Sequence, residues 1–135
     1  MVDRRSWHIT LPYIGEFEER RIPELLERVS DIQVEPFRLG FDRLEFWARP
    51  KVACLVAATV PTELENLVTL LNSVLQEVGV MPESRTYRPH ITVVRNARAF
   101  PTERLAQRAT TEWSEFELME SQSGPGEVSY VPLKQ

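Results

Sequence analysis

The residues of this sequence best suited to chemistry are its only two histidines, because each begins the same triplet, His-Ile-Thr. The first triplet is His8-Ile9-Thr10 and the second is His90-Ile91-Thr92. On an extended chain the side chains alternate between two faces, so each histidine shares a face with the threonine two positions later. The triplets therefore predict two strand faces that each carry an imidazole and a hydroxyl.

Two imidazoles that face one substrate can divide acid and base work between them. The unperturbed charge change of imidazole falls near neutral pH, so His8 and His90 can hold different protonation states when they meet. The neutral ring takes a proton from water while the protonated ring gives one to a leaving oxygen. Thr10 and Thr92 can donate hydrogen bonds to the same anionic centre. Such a site requires no metal when the substrate is an activated phosphodiester.

Two arginines beside the second triplet are candidates for holding an anion. Arg88 shares the face of His90 by the same alternation, whereas Arg95 falls on the opposite face unless a bulge intervenes. The planar guanidinium group binds phosphate oxygens two at a time. Of the 16 basic residues in the chain 14 are arginine, but a GC-rich genome explains that bias equally well. Position, rather than composition, therefore selects these two arginines.

Simpler explanations exist for each of these residues. A lone histidine beside apolar neighbours is usually structural, and threonine favours strands because it is β-branched. Two independent structural histidines would have no reason to share a following Ile-Thr, so we favour a functional role for both. A metal site that adds Asp3 and Glu16 is the chief chemical alternative. No carboxylate lies at ligand spacing in either strand, and Cys54 sits in an apolar run typical of burial, so we expect no metal and no cofactor.

The composition is that of a single soluble domain. With 135 residues, of which 42% are hydrophobic and 27% are charged, the chain can bury a core of its own. Its net charge of −4 argues against nucleic-acid binding through a broad basic groove. No apolar stretch is long enough to span a bilayer and the first residues do not resemble a signal peptide, so we expect a cytoplasmic protein.

The elements around the two triplets are predicted to follow a repeated order. Each triplet lies on a strand, over residues 6–14 and 87–94, and is followed by a loop, a short helix, a strand, a turn and a strand. The short helices are expected over residues 24–30 and 102–109. The last two strands are expected over residues 116–120 and 128–133.

The middle of the chain is predicted to form the core of the sheet and its covering helix. Residues 36–46 are expected to be extended, with a bulge near Gly40, and the apolar run over 52–59 is expected to be a central, buried strand. The longest helix is expected to begin at a capping box, Thr62-Glu63-Leu64-Glu65, and to end at Gly79.

Together these residues resemble the two-histidine phosphoesterases, specifically the bacterial RNA 2′,3′-cyclic phosphodiesterases, which are also called 2′-5′ RNA ligases. The resemblance covers nearly the whole chain. The matching segments are His8-Ile9-Thr10-Leu11 with Gly15-Glu16, residues 46–52, residues 88–95, residues 118–121, residues 124–126 and Tyr130. A single His-x-Thr is a weak signal, but two of them with these flanks in this order are fairly specific.

The resemblance implies an α+β, bilobal fold in which two antiparallel sheets line a central cleft and the helices lie on the outside. We expect one domain over residues 1–135, with lobe 1 at about 1–51 and lobe 2 at about 52–135. Family members carry an opening strand and helix before the first motif, so the first lobe is expected to be incomplete. We expect a second copy of the chain to cover its exposed edge, which would give a homodimer.

The resemblance also implies metal-independent hydrolysis of 2′,3′-cyclic phosphate ends of RNA or nucleotides to 2′-phosphates, with a reversible 2′-5′ RNA ligase activity in some members. It makes His8 the proton donor to the departing 3′ oxygen and His90 the base that activates water. The substrate-binding residues expected from the motifs and from the strand faces are Thr10, Thr92, Arg88 and Arg95. The alternative is a non-catalytic module, derived by loss of the N-terminal segment, that holds a nucleotide or a phosphorylated metabolite in the same cleft.

Overall fold

The structure is a computed structural model that describes residue 2 and residues 7–12, 14–82, 86–124 and 127–132, with side chains through residue 119. A short 3-10 turn at Glu19–Arg21 precedes the first helix. The helices and strands of the described residues are α1 (Ile22–Ser30), β1 (Phe37–Trp47), β2 (Val52–Val56), α2 (Thr62–Glu77), β3 (His90–Arg95), β4 (Glu103–Trp113), β5 (Met119–Gly124) and β6 (Glu127–Pro132).

The larger sheet has the strand order β3-β2-β1-β4, and all its neighbouring strands are antiparallel. Strand β2 lies between β3 and β1, and all its residues except Leu55 are buried. A strand covered on both faces must be apolar throughout, so the central position expected from the apolar run is confirmed. This one sheet contains strands from both sides of residue 51, and the division of the chain into lobes at that point stays a prediction.

Helix α2 covers one face of the larger sheet. Its buried side chains recur at helical spacing and form one apolar stripe. These side chains are Leu64, Leu67, Leu71 and Leu75. They join a single core cluster with Leu39 and Phe41 of β1 and Ile91 of β3. This apolar stripe is therefore the contact that fixes the helix on the sheet.

The two ends of α2 differ in how well the sequence predicts them. The capping box expected at Thr62-Glu63-Leu64-Glu65 does not form, because no side chain caps the helix. The backbone carbonyl of Pro61 accepts from the N–H of Glu65 instead, at 3.0 Å. Gly79 follows the helix with a φ of 89°, a conformation that glycine adopts readily, so the predicted end of the helix is confirmed.

Residues 102–109, expected to be helical, lie mostly on strand β4, and that prediction is wrong. The strand pairs with β1 from Phe37↔Trp113 to Leu44↔Glu103. This pairing satisfies backbone N–H and C=O groups of β1 that a helix would leave open, and it outweighs the local helix signal at Thr102. The register shifts between Phe41 and Arg43, so an irregularity does lie near Gly40, but the extra residues (105–108) belong to β4 and not to β1, where the bulge was expected.

The first triplet does not lie on a paired strand, contrary to the strand expected over residues 6–14. Residues 7–12 are irregular, and residues 6 and 13 are outside the described part of the chain. Trp7, Ile9 and Leu11 nevertheless all pack against the main core. This alternation is typical of an extended chain, and it directs the intervening residues away from the core.

The C-terminal strands β5 and β6 form a separate two-stranded antiparallel sheet, from Met119↔Pro132 to Gly124↔Glu127. This hairpin confirms that two strands lie in this region, although the first spans Met119–Gly124 rather than the expected residues 116–120. Residues 125–126, between the two strands, are outside the described residues. The fold is therefore α+β with two antiparallel sheets, as the resemblance implies. Within the described residues, neither α1 nor α2 combines the length and the apolar character that crossing a membrane requires.

Candidate active site

A cavity of about 640 Å³ lies between the first triplet segment, the sheet and helix α2. This volume falls in the range of small-molecule sites. Three of the predicted site residues form part of its wall: Thr10 from the first triplet, Arg88, and His90 from the second triplet. The rest of the wall consists of Leu11, Pro12, Glu45, Trp47, Arg49, Val68, Asn72, Met81, Pro82, Thr86 and Tyr87.

His90 is the first residue of β3, and one of its ring nitrogens is held by the backbone. Its Nδ1 lies 2.9 Å from the carbonyl oxygen of Arg88. A carbonyl oxygen only accepts, so Nδ1 carries the proton and Nε2 of the neutral ring has a free lone pair. Burial lowers the pKa of His90, the charges of Arg88 and His8 lower it further, and the bond to the carbonyl opposes them. His90 is therefore suited to accept a proton through Nε2.

The first triplet is brought next to the second one. The positive charge of His8 lowers the pKa of His90, so the two imidazoles lie within electrostatic reach of each other. The hydroxyl of Tyr87 donates to the backbone carbonyl of Thr10 at 2.8 Å, and burial raises the pKa of Tyr87, which keeps this donor protonated. His8 is partly buried and does not itself form part of the cavity wall.

Thr92 and Arg95 lie on the His90 side of the sheet, although neither is part of the cavity wall. Thr92 pairs with Cys54, and its hydroxyl lies 3.8 Å from the Cys54 sulfur. The next residue of β2 pairs with Val94, so β3 contains one extra residue at this point. A bulge of this kind restores Arg95 to the face of His90. The structure thus supplies the bulge on which the position of Arg95 depended.

Two further residues of this site, Glu45 and Trp47, were not identified as functional from the sequence. The ring centroids of Trp47 and His90 are 4.2 Å apart, with the planes tilted by 48°. Trp47 donates from Nε1 to Glu45 at 3.0 Å, and Glu45 also accepts from Arg88. The available signal was the alternation of Arg43, Glu45 and Trp47 with apolar residues along β1, which places all three on one face.

The cysteine and the two carboxylates considered in the sequence analysis have no part in the cavity wall where the structure describes them. Cys54 is fully buried, and burial raises the pKa of its thiol, so it keeps its proton and serves the core as the sequence suggested. Asp3, considered as a metal ligand, is outside the described residues, and Glu16 is exposed. No three metal-ligating side chains cluster within the part of the chain that the structure describes.

An α+β fold that brings two His-x-Thr segments together beside one cavity defines a two-histidine phosphoesterase. The chain belongs to the 2′-5′ RNA ligase superfamily, whose family model matches residues 1–122.

Its curated relatives are phosphodiesterases. The chain is 30% identical over 139 residues to the RNA 2′,3′-cyclic phosphodiesterase of Aeropyrum pernix, covering 99% of this chain and 74% of that protein. It is also 30% identical over 131 residues to the RNA 2′,3′-cyclic phosphodiesterase of Escherichia coli, covering 94% and 73% of the two chains.

A solved structure shares the fold over nearly the whole chain. The crystal structure of E. coli LigT complexed with 3′-AMP matches with a TM-score of 0.82 at 28% identity, covering 98% of this chain and 77% of LigT. Other crystal structures of LigT contain ATP, NADP+ or phosphate.

Proposed function

We propose that this protein hydrolyses 2′,3′-cyclic phosphate ends of RNA, or 2′,3′-cyclic nucleotides, to 2′-phosphates without a metal ion. The observation that carries the proposal is the state of His90, a neutral imidazole whose Nδ1 proton is held by a backbone carbonyl. It lines the same cavity as Thr10 and Arg88. The activity for which the A. pernix and E. coli relatives are named supports the same reaction.

The two histidines divide the proton transfers of the proposed reaction. Nε2 of His90 takes a proton from water as the water oxygen forms a bond to phosphorus. The bond between phosphorus and the 3′ oxygen breaks, and His8 gives that oxygen a proton, which leaves the phosphate on the 2′ oxygen. Thr10 and Thr92 donate hydrogen bonds to the non-bridging oxygens. With the 5′ hydroxyl of a second RNA in place of water, the same steps would join it to the 2′ oxygen through the phosphate, which is the 2′-5′ ligation that some family members perform.

Two arginines suit the charge of the phosphate, and the size of the cavity suits an attached nucleoside. Arg88 and Arg95 offset the charge of the phosphate through charge-assisted hydrogen bonds. A cavity of about 640 Å³ also exceeds what a phosphate group requires, so it has room for a nucleoside. Val68 and Pro82 would provide apolar contact for a base, and Asn72 an amide. The LigT complexes with 3′-AMP and ATP support a nucleotide as the bound class.

A panel of four 2′,3′-cyclic nucleotides and a short RNA with a cyclic phosphate end tests the function. We expect turnover that EDTA does not reduce, with phosphorus NMR showing the phosphate on the 2′ oxygen.

His8→Ala and His90→Ala should each lower kcat by about 10²- to 10⁴-fold, because each removes one proton transfer, while circular dichroism shows a folded protein. Full activity of either variant contradicts the assigned roles. Loss of activity with EDTA selects a metal hydrolase, and nucleotide binding without turnover selects the non-catalytic module.

The proposal includes a cytoplasmic location and a homodimer. In the described residues, β4 forms one edge of the larger sheet and hydrogen-bonds to β1 only. An open edge of this kind is a surface that a second chain can cover. Sedimentation equilibrium over a hundredfold range of concentration should show a dimer, and a folded monomer throughout that range would contradict it.

A further inference from the structure

Glu45 is an acidic residue in the wall of a cavity that is proposed to bind an anion. Its side chain is only 14% exposed. Its carboxylate would repel a phosphate group, and an enclosed charge is costly unless it is paired. A partner inside the site is therefore needed to explain why a carboxylate stands at this position.

The contacts of Glu45 supply that partner. Nη2 of Arg88 donates to the Glu45 carboxylate, at 2.9 Å from Oε2 and 3.1 Å from Oε1. Nε1 of Trp47 donates to Oε1 at 3.0 Å. Arg43 lies farther away, with Nη1 at 3.9 Å from Oε2. Glu45 is thus bound to the arginine next to the second triplet and to the aromatic ring that packs on His90.

The same contacts restrict Arg88, whose side chain is 49% exposed. A half-exposed arginine has many rotamers, and binding a phosphate would require it to give up most of them. Glu45 holds Nη2, while the Cζ atom lies 5.4 Å from the centroid of the Trp47 ring. Because a guanidinium group has five N–H donors, those on Nε and Nη1 are left for a phosphate oxygen.

We infer that Glu45 is a positioning residue, which orients Arg88 in advance for the phosphate of the substrate. The inference rests on the proposed function for the identity of that substrate. The cost of a second negative charge is outweighed by the fixed direction of the guanidinium, since the donors do not have to be ordered when the phosphate arrives. Register supports this arrangement, because Glu45 pairs with Cys54, which in turn pairs with Thr92, so all three share one face of the sheet.

A double-mutant cycle tests whether Glu45 acts through Arg88. Glu45→Gln keeps the volume and an acceptor for Trp47 but removes the charge, and Arg88→Met keeps the length of the side chain. We expect Glu45→Gln to raise the Kd for 2′-AMP about tenfold, which is about 1.4 kcal/mol, measured by calorimetry. In the Arg88→Met background the same change should not weaken binding, because the group that Glu45 orients is absent, and loss of the repelling carboxylate should leave the Kd equal or lower it.

Two results would overturn the inference. Tighter binding of 2′-AMP by Glu45→Gln would show that the carboxylate only opposes the anion. An equal rise in the Kd on Glu45→Gln in the wild-type and Arg88→Met backgrounds would show that Glu45 does not act through Arg88. Glu112→Gln is the matched control, since Glu112 is an exposed acid of β4 that pairs with Arg38, and it should leave the Kd unchanged. If Glu45→Gln does not fold, Glu45→Asp, which withdraws the carboxylate from Arg88, carries the same expectation.

Binding and turnover separate this inference from the proposed function. Coupling between Glu45 and Arg88 in 2′-AMP binding, with no hydrolysis of any cyclic nucleotide, overturns the function and leaves the inference standing. Normal hydrolysis with independent effects of the two residues overturns the inference alone. For active variants, Glu45→Gln should raise KM about tenfold with a much smaller change in kcat, and an equal fall in kcat would instead indicate general damage to the site.

Discussion

At the scale of single residues, the proton on His90 is set by its surroundings rather than by its type. Its Nδ1 is committed to the Arg88 carbonyl, which leaves Nε2 as the only basic atom of the neutral ring. Burial lowers the pKa of this imidazole, because the protonated, charged form of the ring is less well hydrated there than in water. The site therefore contains a histidine that is ready to act as a base at neutral pH without a carboxylate partner for its Nδ1.

This state predicts the pH dependence of the rate. Loss of activity at low pH should follow protonation of His90, with an apparent pKa below its ordinary value of 6.5. The charge of Arg88 contributes to that lowering, so Arg88→Met should raise the pKa of His90 and move the acidic limb to higher pH. Profiles of kcat/KM against pH measure both effects, with Arg38→Met on the exposed part of β1 as the control. An acidic limb that stays in place, or moves to lower pH, would contradict the assignment of His90 as the base.

The element that turns Arg95 to the face of His90 is a bulge in β3. Without the extra residue opposite β2, alternation would turn Arg95 toward the core face. Arg95→Met should therefore weaken binding of 2′-AMP by about tenfold, the effect of losing one charge-assisted hydrogen bond. Arg98→Met changes an exposed arginine three residues beyond the same strand and should bind 2′-AMP as the wild type does. Equal Kd values for the two variants, measured by calorimetry, would exclude Arg95 from the site.

Helix α2 packs against the sheet that carries His90. Leu71 is buried against the core, whereas Leu70, its neighbour in sequence, is 51% exposed. Leu71→Ala should lower the free energy of unfolding by about 2–5 kcal/mol because it leaves a cavity. Leu70→Ala should change it by less than about 0.5 kcal/mol. Urea denaturation measures both, and similar losses would mean that α2 is not seated on the sheet by this stripe.

At the scale of the whole molecule, the net charge of −4 limits how much of an RNA the protein can hold. Recognition should be confined to the cyclic end, so a cyclic nucleotide and an RNA with that end should have KM values within about tenfold of each other. The logarithm of KM for the RNA should rise with the logarithm of salt concentration with a slope of about 1–2, as expected for one or two neutralised phosphates. RNA with an ordinary 3′ hydroxyl end should not compete. A slope near six, or strong competition by such RNA, would reveal an extended binding surface.

Features that depend on local pattern could be predicted from the order of the residues. The two His-x-Thr triplets, the shared face of Arg88 and His90, the buried strand β2 and the apolar stripe of α2 all follow from alternation or helical spacing. These patterns are readable because a side chain's direction is set by the backbone of its own residue and its neighbours.

Features that depend on a partner far away in the chain became visible only in the folded protein. Residues 103–113 form a strand because β1 offers them an open edge, and Arg95 shares the face of His90 because the register between β3 and β2 shifts by one residue. Glu45 became part of the site only when β1 came beside the segment that carries Arg88. Hydrogen bonds and ion pairs between residues far apart in the chain are not encoded in the spacing of either partner, so no local period reveals them.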